Sequence, residues 1–504
     1  MPQREALELN WVTIFNQETM KIKSIFWVAL FSSISLMSCK KDFNEINTNV
    51  NFPVDVEPDL LLRQVIYSTG ENNSYEGFVA GNLLGQHFSM VDFNLFDRHN
   101  LSQPQLGGNP WPFLYRNLRD NEIVLQKSAS DEIYAVYEGP ARIMKAYIAQ
   151  LLTDMYGDVP YSEAVQGVSG IVTPNYDSQE SIYLNENGII DQLNKAIEAI
   201  DNYAGAQTLG GDILYYGDLS KWRKLANSLK IKALIRISDR NGEIALDISQ
   251  ELQAIYAEGD FIANNFDNAV FQFSSSQPNS FRMEQLRPGD FNLYVMSQTA
   301  DTIFQELNDP RFSVFFRGTG SDPLVLNGLI NGIDNAQTTI SISDYSLAGT
   351  VFRENTGDLQ CNFMTAWETQ FLLAEAANKG YIAENAQGLY EDGVANAFAY
   401  WNVTMPTNYL TSGPAVYNAA EGLEQIITQK WIANCINGYE CWIEYSRTGF
   451  PQLLPVSASL NGGDYPVRLP YPADEIALNQ VNYDVAAGNA GGNSVNSKVW
   501  WDVF

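Results

Sequence analysis

The residues best suited to chemistry lie in one aromatic and polar stretch between positions 91 and 115. Flat aromatic rings can cover the apolar C–H faces of sugar rings, while amides and carboxylates bond the hydroxyl groups around them. A Gly-Gly-Asn-Pro turn at 107–110 separates the stretch from the helix that follows. The stretch predicts a ligand-binding loop, with candidate ligand-binding residues Phe93, Asn94, Phe96, His99 and Trp111.

These candidates also have structural alternatives. Trp111 and Tyr115 are four residues apart, which is the spacing of a helix face packed against a core. His99 can donate to a sugar hydroxyl or pack within the loop. A second stretch, 281–294, adds Phe281 and Tyr294 as further ligand-binding candidates.

Catalytic and metal-binding patterns are weak in this sequence. Glycosidases use two carboxylates, and the pairs Asp154/Asp158 and Glu440/Glu444 have helical spacing. With 59 acidic residues, however, such pairs arise by chance. The chain has two histidines and lacks a nucleophile elbow, a phosphate-binding loop, a dinucleotide fingerprint and any Cys/His metal spacing. We predict no catalytic residues, no metal and no cofactor.

The N-terminal segment resembles a bacterial lipoprotein signal. A basic start at Met20 precedes a short apolar run at 25–36, which is too short to span a bilayer. The run ends in LMSC (36–39), which resembles a lipobox and predicts lipidation of Cys39. We interpret 1–38 as an over-extended start plus a signal peptide and 39–59 as a lipidated flexible tether. Residues 60–504 are predicted to form a single helical domain.

Composition limits the classes of partner. Of 504 residues, 45% are hydrophobic and 18% charged, which fits a large globular core. The net charge is −29, whereas nucleic acids and anionic membrane surfaces select basic proteins. Nucleic acid is therefore excluded as the main partner. The cysteines other than Cys39 allow either a Cys435–Cys441 bridge or small buried thiols, with Cys361 left over.

Apolar residues recur mainly with helical spacing. One stripe runs through Met364, Trp367, Phe371 and Ala374, and Gly380 ends that helix. Asp177 and Asp218 are predicted helix N-caps. The clearest predicted helices span 134–153, 187–203, 221–239, 246–257, 366–379, 386–401 and 423–435. These helices predict a mostly α fold of tetratricopeptide-like helix pairs, with long irregular loops and minor β structure.

An ordered set of short motifs resembles the SusD/RagB family. The lipobox at Cys39 is the first of them, and the set covers the chain from about residue 20 to its end. The others are DMYGDVPY (154–161), WRKLANSLK (222–230), ETQFLLAEA (368–376), QKW (429–431), YECW (439–442), RTGFP (447–451), RLPYP (468–472) and WWD (500–502). Where the family often shows two arginines before Thr-Gly, this chain has Ser446 and Arg447.

The resemblance implies a lipid-anchored protein of the outer membrane that faces the exterior. Members of the family are not enzymes; they cap a SusC-like TonB-dependent transporter and help to capture nutrients, most often oligosaccharides. The matching motifs are mostly scaffold, so they leave the ligand open. We expect oligosaccharide binding and delivery, with peptide binding of the RagB type, a surface glycosidase and a purely structural lid as alternatives.

Overall fold

Helices build most of the protein, as the apolar periodicity predicts. The structure is a computed structural model that describes residues 56–102, 106–319 and 325–503. The first helices are α1 (Pro58–Glu76), α2 (Asn82–Leu84), α3 (Trp111–Ser130), α4 (Glu138–Tyr156), α5 (Gln179–Leu184), α6 (Ile189–Asn202), α7 (Leu219–Arg236) and α8 (Ile248–Glu258). The later ones are α9 (Pro288–Phe291), α10 (Gln298–Leu307), α11 (Phe312–Phe315), α12 (Ala366–Asn378), α13 (Ala386–Tyr400), α14 (Gly422–Ala433), α15 (Gly438–Thr448), α16 (Ala473–Leu478) and α17 (Gln480–Asn489).

The remaining regular structure is short. A π-helix at Gly77–Gly81 continues α1. Short 3-10 helices occur at Glu132–Tyr137, Gly167–Ser169, Ser238–Arg240, Asn265–Asp267, Arg282–Gln285, Ile342–Asp344, Thr350–Phe352 and Thr356–Asp358. The strands are β1 (Phe88–Met90), β2 (Ala269–Gln272), β3 (Tyr294–Met296) and β4 (Gln360–Met364). Two antiparallel pairs result, β1 with β3 and β2 with β4.

Local hydrogen bonds explain where helices begin. The Asp218 carboxylate accepts from the backbone N–H of Ser220 and Lys221 at the start of α7, as predicted. The prediction for α5 was off by one residue, because Ser178 caps that helix by accepting from the Ser181 N–H. Asp177 instead accepts from the backbone N–H of Tyr161 and Ser162, across the preceding loop.

Helices that follow one another pack side by side, including α1 with α3, α4 with α6, and α12 with α13. Glycines permit two of the closest approaches. A Cβ on Gly393 of α13 would lie 2.6 Å from the buried Phe371 ring of α12, and one on Gly139 of α4 would lie 2.5 Å from Ile200 of α6. These contacts set the helix spacing that the paired-helix prediction requires.

Most buried apolar side chains of residues 57–503 belong to one continuous core between the helices. A separate small cluster joins Val91, Val295, Leu329 and Ile333 beneath the irregular segments. Because this second cluster lies between the loop after β1 and the segment after residue 325, it gives those segments a packed base. The loops are thereby held by their own side chains.

Nine buried charged side chains connect five of the helices. Arg236 of α7 bonds Asp154 of α4 and both Glu440 and Glu444 of α15. The full set, which we call the buried charge cluster, is Asp154, Lys232, Arg236, Glu368, Glu375, Lys430, Glu440, Glu444 and Arg447. The acids Glu440 and Glu444 therefore serve the scaffold.

The three described cysteines, Cys361, Cys435 and Cys441, are free and buried, so the Cys435–Cys441 bridge does not form. Burial raises the pKa of the Cys361 thiol to about 12 and that of Cys435 well above its usual value. They are inert core thiols at neutral pH. Within the described ranges, no helix combines the length and the apolarity that a bilayer crossing requires. Cys39 lies outside the described residues.

Candidate functional site

Strand pairing positions the predicted ligand loop. β1 pairs with β3 so that Phe88 faces Met296 and Met90 faces Tyr294. The segment after residue 325 runs alongside, with the Leu329 N–H donating to the Met296 carbonyl at 2.8 Å. The chain that leaves β1 at Met90 therefore meets residues 330–335, more than 230 positions later in the sequence.

Asp97 ties this junction together from beneath. Its buried carboxylate accepts from Ser89 Oγ at 3.0 Å, the Met90 N–H at 3.1 Å, Asn331 Nδ2 at 2.6 Å and the Gly332 N–H at 2.9 Å. Burial raises the pKa of Asp97 to about 6, although these four donors favour the charged form and lower it. A single carboxylate thus fixes two chain segments that are distant in sequence.

Phe93 is held outward above this junction, with 62% of its surface exposed. Its backbone lies in the left-handed region at φ 51°, and its N–H donates to Asp92 Oδ1 at 2.8 Å. Asn335 Nδ2 donates to the same Asp92 oxygen at 3.0 Å. Asn94 Nδ2 in turn donates to the Ile333 carbonyl at 2.8 Å and to Asn335 Oδ1 at 3.1 Å. The turn that carries the ring is fixed on both sides.

We call this region the Phe93 surface and define it by Asp92, Phe93, Leu106, Asp334 and Asn335. Leu106 is exposed and lines one shallow depression together with the Phe93 ring. Asp334 forms a long ion pair with Arg98, with 3.9 Å between the charged atoms. The surface therefore offers an apolar ring and aliphatic edge, bordered by carboxylates and an amide.

The structure corrects the predicted exposure of the other loop candidates. Phe96 is buried and lies so close to Gly108 that a Cβ there would be 2.5 Å from its ring. Asn94 is buried and bonds across the junction, as described above. His99 is buried against the Tyr465 ring, with its Nδ1 3.3 Å from the Asp464 carbonyl. Burial lowers the pKa of His99 to about 4, so it is a neutral loop-packing residue.

Trp111 and the second candidate stretch also belong to the core. Trp111 is buried at the start of α3, where its ring centroid lies 5.0 Å from that of Tyr156. Phe281 and Tyr294 are fully buried, and both rings pack on Phe78 at centroid distances of 6.0 and 5.4 Å. For Trp111 the helix-face alternative is the one observed.

Sequence reasoning missed the polar border of the Phe93 surface. Asp92 and Leu106 lie within or beside the predicted loop, but their neighbours gave no signal that they would share an exposed surface. Asn335 lies 243 residues from its partner Asp92 and belongs to a segment with no recognisable motif. Asn335 reaches the site only because the fold places these two segments side by side.

The chemistry available here is that of binding. The described ranges contain no group of three or more His, Cys, Asp or Glu residues placed to hold a metal ion. The Phe93 ring can cover an apolar face, while Asp92 and Asn335 offer hydrogen bonds at its edge. The carboxylates disfavour anionic ligands, which leaves neutral polar molecules with an apolar face as the best fit.

A second exposed region is aliphatic and lies on the C-terminal helices. Asn482 Nδ2 of α17 donates to the carbonyls of Thr173 and Pro174, each at 3.0 Å, which holds this helix beside the 165–177 loop. What we call the aliphatic surface comprises the exposed residues Val168, Val172, Ile476, Leu478, Val481 and Val485. Residues 146–194 and 469–497, which contain it, have no Lys or Arg.

Comparisons with known proteins agree with this fold. Residues 50–472 match the SusD-like family described as starch-binding and associating with the outer membrane. A chitin-binding protein has 26% identity and a TM-score of 0.75 over 89% of this chain and 100% of its own. A SusD homologue from Bacteroides fragilis has 25% identity and a TM-score of 0.76, over 89% and 99% of the two chains.

A chitin-binding SusD homologue from Flavobacterium johnsoniae shares the fold, with 23% identity and a TM-score of 0.73 over 88% of this chain and 98% of its own. No curated protein is similar enough in sequence to match. The family model spans far more than half of the 504 residues. The chain therefore belongs to the SusD-like family of non-catalytic, nutrient-binding proteins associated with the outer membrane.

Proposed function

We propose that this protein binds oligosaccharides at the Phe93 surface. The observation that carries the proposal is the Phe93 ring, held outward by a turn whose backbone and neighbours are hydrogen-bonded on both sides. A turn that is fixed before binding loses little conformational entropy when a sugar stacks on the ring that it carries. The carboxylate of Asp92 and the amide of Asn335 lie where sugar hydroxyls need partners.

Two of the similar structures guide the choice of test ligands. Both are described as chitin-binding, and the family description names starch. Chito-oligosaccharides and malto-oligosaccharides are therefore the first ligands to test. A peptide ligand of the RagB type is the alternative outcome, and a purely structural lid predicts no binding. Family membership excludes the surface glycosidase.

Calorimetric titration of Phe93→Ala tests the proposal. An aromatic contact is worth about 0.5–1.5 kcal/mol beyond its area, so affinity for a glycan that the wild type binds should fall several-fold. Because Phe93 is exposed, stability should change by less than about 0.5 kcal/mol. Ile133→Ala, which truncates an exposed apolar residue in another element, is the matched control. Unchanged affinity in Phe93→Ala would place the site elsewhere.

We further propose that Cys39 carries a lipid anchor and that the segment between Cys39 and the start of α1 at Pro58 tethers the domain on the outer face of the membrane, a tether shorter than the predicted 39–59 because Pro58 and Asp59 are helical. The protein then delivers ligand to a SusC-like TonB-dependent transporter. The aliphatic surface supports a protein partner, because exposed apolar patches of this kind are typical of interfaces. Its acidic surroundings favour a partner rim rich in Lys and Arg. Replacing Val481 and Val485 by Ser should reduce co-purification with a co-expressed SusC-like transporter.

A further inference from the structure

Two more aromatic side chains are almost fully exposed and have no role in the proposal above. Tyr216 is 89% exposed and Phe266 is 88% exposed. Single exposed apolar residues are common on protein surfaces. These two lie on turns that are bonded to each other, however, and each turn is unusually well fixed.

The Tyr216 turn is organised by one buried carboxylate. Asp212 accepts from the N–H groups of Leu214, Tyr215 and Gly217 at 2.8–3.1 Å, and from Trp222 Nε1 at 2.9 Å. Tyr216 stands between two of these bonded residues, with φ 54° in the left-handed region. Its backbone is held in this conformation and its ring projects into solvent.

The Phe266 turn is fixed in a similar way. Asn264 Oδ1 accepts from the Phe266 N–H at 3.0 Å, and the Asn264 carbonyl accepts from the Asp267 N–H at 3.1 Å. Asn265 Nδ2 donates to the carbonyl of Asn396 in α13 at 3.0 Å. The side chain of Asp267 forms an ion pair with Lys224 of α7 at 2.7 Å. The Phe266 ring thus stands on a turn anchored to two helices.

Hydrogen bonds join the two turns into one platform. The Tyr215 hydroxyl donates to the Asp267 carbonyl at 3.0 Å, and Lys221 Nζ donates to the Phe266 carbonyl at 2.6 Å. The same ammonium lies 6.0 Å from the centroid of the Tyr215 ring. Three exposed polar residues, Asp218, Ser220 and Asn264, lie within four positions of one ring or the other in the sequence. We call this region the aromatic platform.

The aromatic platform is separate from the Phe93 surface. Gly211, in the Tyr216 turn, lies against the backbone of Asp59 at the start of α1. Leu106 of the Phe93 surface accepts a hydrogen bond from Tyr75 at the other end of that helix. α1 has 19 residues and is therefore about 28 Å long. The two regions lie near its opposite ends.

From these contacts we infer that the aromatic platform is a second carbohydrate-contact surface, which takes a segment of a long polysaccharide chain. The inference rests on the proposed oligosaccharide-binding function. A protein interface needs an apolar centre of many residues, whereas each sugar needs one flat ring and polar groups around it. Two exposed rings on fixed turns, with exposed polar residues beside them in the sequence, match the second requirement. Two surfaces on one protein would strengthen retention on a long chain through multivalency.

Affinity electrophoresis in native gels that contain amylopectin or glycol chitin tests the inference. Replacing both Tyr216 and Phe266 by Leu keeps apolar area but removes the flat rings, and we expect at least a threefold rise in the apparent Kd for the retained polysaccharide. Replacing both by Trp keeps flat rings and should preserve retention. The Phe93→Ala change should weaken retention independently, and all three changes together should nearly abolish it. Ile133→Ala is again the control, and equal melting temperatures establish folding.

The outcomes separate the two proposals. Wild-type retention in the double Leu variant, alongside weaker retention in Phe93→Ala, overturns the aromatic platform and leaves the proposed function standing. If retention is weaker in the double Leu variant but unchanged in Phe93→Ala, the platform is supported and the principal site lies away from Phe93. A wild type that neither polysaccharide retards, and that binds no short oligosaccharide by calorimetry, overturns both. A double Leu variant that binds glycan normally but loses its transporter makes the platform a protein interface instead.

Discussion

Asp97 shows how much of the Phe93 surface depends on a residue that cannot touch a ligand. Its carboxylate holds Ser89 and Met90 of β1 and also Asn331 and Gly332 of the distant segment. The carboxyl is buried, and burial raises its pKa to about 6. Ionised Asp97 therefore lowers the free energy of unfolding at neutral pH, although it positions the site.

This pKa predicts a particular pH dependence. Between the usual value of 3.8 and about 6, the folded state binds more protons at Asp97 than the unfolded state does, so its contribution to stability is largest below 3.8 and is lost as pH rises through 6. In Asp97→Asn this part of the dependence should disappear. Urea unfolding at intervals from pH 4 to 7 measures the free energy of unfolding of both proteins as a function of pH. A slope over that range that is identical in the wild type and Asp97→Asn would assign the titration to another group.

The sequence predicts a ligand-binding loop at 91–115 but does not indicate which of its phenylalanine rings is exposed. Phe93 and Phe96 are three residues apart and chemically identical. Phe96 is buried because Gly108 leaves room for its ring, whereas Phe93 is held outward through Asp92 and Asn335. Gly108 is 12 positions from Phe96 and Asn335 is 242 positions from Phe93, so no local pattern encodes these two contacts.

At the scale of helices, the periodicity of apolar residues predicts most of the helix positions. The predicted helix at 366–379 is observed at Ala366–Asn378, and that at 386–401 is observed at Ala386–Tyr400. Long amphipathic helices are specified by their own sequence, so their positions are predictable. The prediction that Asp177 caps α5 was wrong because either Asp177 or Ser178 can cap a helix that starts here. Asp177 is engaged by the Tyr161 N–H, and Ser178 is the cap.

The contact between α12 and α13 yields a paired prediction. Phe371→Ala should leave a cavity that costs about 3–5 kcal/mol. Gly393→Ala should also destabilise the protein, because its new Cβ would lie 2.6 Å from the Phe371 ring. In the double variant the ring is absent, so the two costs should not add, and chemical denaturation of all four proteins measures the coupling. Strict additivity would mean that these two residues do not touch.

The buried charge cluster predicts sensitivity to acid. Burial alone would raise the pKa of Glu440, but Arg236, Lys232 and Lys430 outweigh it and lower the pKa to about 2. A depressed carboxyl pKa contributes stability above its unfolded value of 4.5 that is lost as pH falls toward 2.

Glu440→Gln should therefore lower the free energy of unfolding at pH 7 by about 3–5 kcal/mol, because it leaves buried cations without their partner. The difference from the wild type should shrink below pH 4.5. Thermal melts at pH 7 and pH 3 give both quantities, and an equal loss at the two pH values would argue against Glu440 as the titrating group.

At the scale of the whole molecule, the anchor is the feature that the sequence addresses most directly. If LMSC (36–39) is a lipobox, Cys39→Ala should release the protein from the membrane fraction and abolish fatty-acid labelling. Ser38→Ala keeps the cysteine and a small residue before it, and should remain anchored. A Cys39→Ala protein that stays wholly in the membrane fraction with unchanged labelling would contradict the lipid anchor.

The buried charge cluster also bears on how far this scaffold can be trimmed. Chains of stacked helix pairs often tolerate the loss or gain of a unit, since each unit contacts only its neighbours. Here α4, α7, α12, α14 and α15 each contribute a charge to one shared group, across almost 300 residues of sequence. Deleting any of these helices would leave a buried charge on another helix without its ion-pair partner. Although the domain is built of stacked helix pairs, we therefore expect the loss of any one of these helices to destabilise all of them.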